Sequence, residues 1–175
     1  MKDMPIRKPS RLEGYDYSQN GAYFVTFCVE DRRELMGEVV VGSGFHARPS
    51  VELTALGLEV RKTINFICDN DKKVEIPQYV IMPNHVHLII VLNAFGHAEI
   101  AAVGHGNPTL QAVVGRLKSY TASRWSEMCG TKHQSFWQRS YYDRIIRNDA
   151  EYERIWQYID DNPARWAEDE YYIQR

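Results

Sequence analysis

Residues 78–92 constrain the fold more than any other stretch of this chain. Two apolar runs, Gln78 to Met82 and His85 to Leu92, are too short for helices and are separated only by Pro83-Asn84, the pattern of neighbouring antiparallel strands. The flanking segments extend that pairing into a sheet. Residues 21 to 29 are aromatic and β-branched and follow the turn-like Ser18-Gln19-Asn20-Gly21, which predicts a strand. Gly37 to Val41 reads as a second, closed by Gly42-Ser43-Gly44. Leu53, Leu56, Val60, Ile64 and Ile67 recur at helical spacing and predict an amphipathic helix from Glu52 to Asp69.

The same period returns from Thr109 to Met128 through Leu110, Val113, Val114, Leu117 and Tyr120, after a Gly-containing loop from Ala94 to Pro108. Ser135 to Ile146 reads as extended. Asn148 with Glu151 three residues later marks the start of a last helix running to about Asp161, and Pro163 is expected to stop it. Strands pairing in this order with interspersed helices predict an α+β fold, an antiparallel sheet with helices on one face. The 175 residues, 44% hydrophobic, suit one domain with its own core.

Three cysteines, Cys28, Cys68 and Cys129, form no Cys-x-x-Cys pair and leave an odd count, so a reducing cytoplasm is the expected compartment. No run approaches the length of a membrane span, and no membrane partner is expected. The net charge of -2 announces no nucleic-acid binder. Its distribution is uneven, however. Arg116, Lys118, Arg124, Lys132, Arg139, Arg144 and Arg147 face only Glu127 and Asp143, a local balance of about +5. From Asp149 to Glu170 eight acids stand against Arg154 and Arg165. Ordinary solvated helix faces explain that polarity equally well.

In a strand, residues two apart share a face, so His85, His87 and Ile89 point one way while Val86, Leu88 and Ile90 point into the core. Two imidazoles side by side on an open face suit a divalent cation that keeps positions free for a substrate phosphate. A lone His-x-His pair is equally compatible with two surface histidines, and no third ligand is visible beside it. On the last helix Tyr158 and Asn162 lie one turn apart, with Tyr152, Ile155 and Ile159 forming an adjacent apolar stripe that would seat the helix on the sheet. Taken alone, Tyr158 reads first as a packing residue, one tyrosine among eleven. His46, His97 and His105 read as solvent-facing, and His133, inside the basic segment, reads first as a surface histidine with an approach to DNA as the alternative.

The stretch Tyr79-Val80-Ile81-Met82-Pro83-Asn84-His85-Val86-His87-Leu88 resembles the His-hydrophobic-His motif of the single-tyrosine transposases. Phe136-Trp137-Gln138-Arg139-Ser140-Tyr141-Tyr142-Asp143-Arg144-Ile145-Ile146-Arg147, followed by Tyr158-Ile159-Asp160-Asp161-Asn162-Pro163, resembles their REP-associated branch. The likeness runs from about Tyr23 to Trp166, and the two motifs in this order are specific together. It implies a ferredoxin-like or RNA-recognition-motif-like domain with a core of about residues 21–166 and a C-terminal helix carrying the tyrosine.

It further implies His85 and His87 as ligands of Mg or Mn, Asn162 at the position of a polar third ligand, and Tyr158 as nucleophile. The implied activity is cleavage and rejoining of single-stranded or hairpin DNA through a 5′-phosphotyrosine. Arg116, Lys118, Arg139, Arg144, Arg147 and Trp137 are then the expected DNA contacts, as cations and a stacking face. Tyr152 is the next candidate nucleophile. Two alternatives stay open: a non-catalytic nucleic-acid-binding module on the same fold, and a phosphohydrolase of small nucleotides, disfavoured by the lack of a phosphate-cradling Gly-rich loop. Monomer and homodimer are both compatible with the sequence.

Overall fold

A computed structural model describes residues 16–17, 19–42, 48–93, 108–130 and 135–173. The predicted loop from Ala94 to Pro108, apart from Pro108 itself, and the readings placed on His46, His97, His105 and His133 lie outside these residues. The elements in chain order are β1 (Gly21–Cys28), β2 (Gly37–Val40), β3 (Ser50–Leu53), α1 (Ala55–Asn70), β4 (Val74–Ile81), β5 (His85–Leu92), α2 (Leu110–Cys129), β6 (Tyr142–Ile146) and α3 (Asp149–Asp161). Four strands form one antiparallel sheet in the order β4-β5-β1-β6, and β2 pairs with β3 in a separate ribbon. Setting that ribbon aside, the path is β-α-β-β-α-β, with its first strand held between its third and fourth. This is the ferredoxin-like arrangement.

The predicted alternation governs what each face does. Tyr23, Val25 and Phe27 of β1 and Val86, Leu88 and Ile90 of β5 enter one continuous core with Leu56, Val60 and Ile64 of α1 and Val113, Val114 and Leu117 of α2. The opposite face carries a smaller apolar cluster in which Ile89 and Ile146 meet Ile159 of α3. α1 and α2 start on side-chain caps: the Thr54 and Thr109 hydroxyls accept from the Gly57 and Ala112 amides. At Gly57 a Cβ would overlap the Met36 carbonyl, so only glycine lets α1 approach the chain beside β2.

Two expectations need correction. The first helix does not begin at Glu52, because Ser50–Leu53 is a strand paired with Gly37–Val40. The strand expected from Gln78 starts at Val74 and accommodates Pro77 at a register shift between Glu75 and Gln78, on an edge strand where the missing N–H is tolerated. The last helix, α3, ends at Asp161 as expected, just ahead of Pro163. The chain passes into a 3-10 turn, Asn162–Glu168, whose first turn accepts proline without losing a hydrogen bond. No helix among the described residues is long and apolar enough to cross a membrane.

Candidate active site

β5 brings His85 and His87 to the face covered by α3, and their Nε2 atoms stand 3.0 Å apart. The imidazoles are not on an open surface as the strand pattern suggested. They are 0% and 1% exposed, sealed by α3 and the turn after it. The tautomer of His85 follows from its neighbour. Asn84 donates through Nδ2 to two carbonyls, those of Arg32 (3.2 Å) and Tyr171 (2.9 Å), which turns its Oδ1 toward His85 Nδ1 at 2.9 Å. Nδ1 must therefore carry the proton, leaving a lone pair on Nε2. The Thr26 hydroxyl lies 2.7 Å from His87 Nδ1 and orients the second ring, able to accept from that nitrogen when it bears the proton or to donate to it when it does not. Outer-atom hydrogen bonds of this kind orient metal-ligating histidines.

Helix α3 adds the other two predicted groups. Its N-terminus is fixed by Asn148, whose side chain accepts from the Glu151 amide, while the Glu151 carboxylate accepts from the Arg147 amide. Ile159 is buried against the sheet, with Tyr152, Ile155 and Trp156 packed beside it, so the preceding residue, Tyr158, is directed along the sheet. Its phenol oxygen lies 3.3 Å from His87 Nε2. The Phe24 ring holds it edge-on, at 5.9 Å and 86°. One turn further on, Asn162 is buried; its Nδ2 donates to Asp169 at 2.9 Å, and its Oδ1 has no hydrogen-bond partner.

Asp169 is the residue that the sequence reading missed. Its side chain is 3% exposed, with Oδ2 4.0 Å from His85 Nε2. His85, His87 and Asp169 offer ligand atoms that all lie within 4.8 Å of one another. The other carboxylate oxygen accepts from the Tyr171 amide at 2.7 Å. Tyr171 in turn lays its ring against both imidazoles, with centroids 4.5 Å from His85 and 5.8 Å from His87.

This donor set fits a divalent cation. The two Nε2 atoms stand 3.0 Å apart, close enough for both to ligate one ion at the usual metal–nitrogen distance of about 2.1 Å. The orphaned Asn162 oxygen costs about 1–3 kcal/mol when left unpaired in the interior, and a hard cation would satisfy it. The carboxylate supplies charge.

A family model described as IS200-like transposase matches residues 19–162, four-fifths of the chain and all of these elements up to Asn162. The chain belongs to the IS200-like transposase family. A solved structure of a REP-associated tyrosine transposase bound to a REP hairpin shares its fold, with a TM-score of 0.58 at 20% identity over 89% of this chain and 74% of the other. An uncharacterised protein of Haemophilus influenzae is 29% identical over 177 residues, 95% of this chain and 93% of its own length. Asp169 and Tyr171 lie beyond the segment matched by the transposase model.

The electrostatics of this transposase-family site follow from its burial. Desolvation, reinforced by Arg32 and opposed by Asn162, holds His85 down to about 3. His87 is lowered well below its ordinary value by desolvation and by His85. Both rings are neutral at physiological pH, the form that ligates metals. Burial and the charges of Asp169 and Glu170 push the Tyr158 phenol up to about 12.

The expected DNA contacts fare unevenly. Trp137 is not a free stacking face: it is 4% exposed, packs edge-on against Phe27 at 4.7 Å, and donates to the Thr121 hydroxyl at 2.7 Å. Both it and Phe136 are drawn into the core where the chain bridges to Val29. Arg116 pairs with Asp71, and Lys118 donates to the carbonyls of Gln138 and Arg139, both from α2 on the far side of the sheet. Arg139 and Arg147 are exposed, and Arg144 is exposed while paired with Glu151. Tyr152, the second candidate nucleophile, packs against Trp156 in the small apolar cluster, leaving Tyr171 as the second tyrosine at the histidines.

Proposed function

We propose that this chain cleaves and rejoins single-stranded DNA through a covalent link to Tyr158, with a divalent ion, Mg or Mn, held by His85 and His87 and by oxygens of Asn162 and Asp169. One observation carries this reading: the Tyr158 phenol and both imidazole Nε2 atoms converge on one buried point. When bound, the ion supplies Lewis-acid activation of the scissile phosphate and positive charge against which a phenolate is stabilised. The remaining work belongs to the protein. Ile159 and Phe24 fix the direction of the Tyr158 ring, so its oxygen meets the phosphorus in line rather than by chance encounter. At its raised pKa the phenol keeps its proton at neutral pH; the ring is 40% exposed, which gives that proton a path to solvent as the oxygen–phosphorus bond forms.

Attack on the phosphorus expels the 3′-oxygen and leaves a 5′-phosphotyrosine. That ester conserves the energy of the phosphodiester, so a second 3′-hydroxyl reverses the step and joins the strands without a nucleotide cofactor. A helix-borne nucleophile needs the backbone free of a complementary strand, which favours single-stranded DNA. The solved relative bound to a REP hairpin supports a hairpin with a single-stranded flank as the substrate form. Within one chain the phenol of Tyr158 reaches His87, and Asp169 reaches both histidines, which supports a site that one copy can complete.

The test is a covalent adduct. Incubated with hairpin-bearing single strands and Mg or Mn, the protein should run as a protein–DNA conjugate on a denaturing gel. Chelator or Tyr158→Phe should remove the conjugate. Retention of the adduct in Tyr158→Phe would transfer the nucleophile to Tyr171, and binding without any adduct, unaffected by chelator, would make the chain a non-catalytic nucleic-acid module.

A further inference from the structure

The strand register lines up one exposed aromatic residue with the proposed reaction centre. Thr26 of β1 stands opposite His87 on one side and opposite Tyr142 of β6 on the other. Tyr142, Thr26 and His87 therefore form one transverse row, and Tyr142 sits two strand spacings, roughly 10 Å, from His87. On β6 the even positions face α3: Ile146 joins the small cluster beside Ile159, Arg144 pairs with Glu151, and Tyr142 is 49% exposed. β6 is the outer strand of the sheet, hydrogen-bonded only to β1 among the described residues.

A single phenyl ring supports the whole row. Phe24 stacks on His87 (5.4 Å, 28°), meets Tyr158 edge-on (5.9 Å, 86°) and meets Tyr142 edge-on (6.3 Å, 69°). No other ring contacts Tyr142 among the described residues, so it has no face-to-face partner. Exposed aromatic residues are common on edge strands, where β-propensity alone explains them. Tyr142 differs in position: of the large apolar side chains exposed on this face of the sheet, it and Tyr158 share the Phe24 contact. Further along the chain Arg147 is exposed, and Arg144, although paired with Glu151, keeps about half of its side chain exposed, so both can offer charge to a phosphate backbone.

We infer that Tyr142 is a base-stacking platform, seating on its ring the nucleobase next to the scissile phosphate while Arg144 and Arg147 meet the backbone. This rests on the reading of Tyr158 as a DNA nucleophile and adds a subsite to it. The occupant is a base in a single strand, because an unpaired base presents its π-face, whereas in a duplex that face is covered by neighbours. Stacking needs the ring and not the hydroxyl. The platform thus fixes which phosphate reaches Tyr158 by spacing, with little demand on the identity of the base.

Binding measured in a Tyr158→Phe background keeps the DNA uncleaved and separates this subsite from the chemistry. The probe is a fluorescein-labelled hairpin with a single-stranded flank, and a matching set carries one abasic nucleotide at each flank position in turn. Tyr142→Leu should weaken binding by about 5- to 150-fold, the range for loss of one base–aromatic stack, while Tyr142→Phe and Tyr142→Trp stay within about twofold of the parent. One abasic position should lose affinity on the Tyr142 background and lose no more in Tyr142→Leu, the signature of a coupled pair.

Equal losses in Tyr142→Phe and Tyr142→Leu would overturn stacking in favour of a hydroxyl contact. Coupling to no position would overturn the subsite altogether. If no adduct forms in the Tyr158 protein but Tyr142 still couples to one base, the nuclease reading falls and the platform stands. Thermal melting of each variant, expected to match the parent at this exposed edge, keeps a folding defect from imitating either result.

Discussion

Toward α1 and α2 the sheet presents Tyr23, Val25, Phe27, Val86, Leu88 and Ile90, and the interface is almost wholly hydrocarbon. Toward α3 it presents Thr26, His85 and His87, and the apolar contact shrinks to Ile89, Ile146 and Ile159 with a few half-buried neighbours. Burying hydrocarbon is favourable at about 25 cal/mol per Å², without regard to direction. Burying imidazoles, amides and carboxylates is unfavourable unless each atom finds a partner in the right place. The first face therefore holds the fold, and the second draws on that stability to keep polar groups dry and aimed. Neighbouring residues of one strand serve opposite ends.

That division can be broken most sharply at the adjacent pair His87 and Leu88. His87→Ala should lower metal-dependent adduct formation by about a thousandfold or more, since a lost metal-binding group forfeits several kcal/mol of transition-state stabilisation. Leu88→Ala should instead cost about 2–5 kcal/mol of stability in urea titration by opening a cavity in the larger core, with the adduct still formed under conditions where the protein is folded. If His87→Ala unfolded the chain more than Leu88→Ala, the two faces would not differ as described.

A smaller effect tests the carboxylate. Asp169→Asn keeps the shape of the side chain and removes its charge, and should weaken Mn binding, followed by calorimetry or by the electron paramagnetic resonance of the ion, by about 10- to 100-fold. Unchanged affinity would restrict the ligands to His85, His87 and Asn162. The mildest prediction concerns acid. His85 is held down to about 3 when folded, against an ordinary 6.5, so the unfolded chain binds the extra proton between those values. Its contribution to stability is complete above about pH 6.5 and is lost as pH falls toward 3, at no more than about 1.4 kcal/mol per pH unit. In chelator, melting followed from about pH 7 to pH 4 should fall less steeply in His85→Gln than in the parent.

The fold was legible because its strands and helices announce themselves by period. β1 and β5 alternate, α1 and α2 repeat at helical spacing, and the common face of His85 and His87 follows from their being two apart. The placement of Tyr158 beside them needed the family resemblance, because eleven tyrosines share one composition and only tertiary packing separates Tyr158 from Tyr152. Ser50–Leu53 was hidden because Leu53 and Leu56 satisfy a helical spacing that the pairing with β2 overrides. Trp137 was misplaced because an extended segment does not reveal which side chains it turns inward.

Asp169 was hidden for another reason: it lies in an acidic run that local sequence cannot distinguish from a solvated tail. Trp166, Tyr171 and Tyr172, aromatic residues in that run with no use for water, were the signal that it folds back. Asn84 and Thr26, which orient the imidazoles, carry no periodic mark at all.

The Tyr158 hydroxyl reaches across 71 positions to its histidine, and the carboxylate at Asp169 arrives later still. During synthesis, at roughly 5–20 residues per second, all four strands of the sheet and both helices of the larger core emerge before α3 does. A nascent chain thus acquires its scaffold seconds ahead of Tyr158, the proposed nucleophile. On the proposed function, a frameshift or stop codon just after β6 would remove Tyr158 while sparing the elements of the main core, and such a product is expected to bind DNA without severing it.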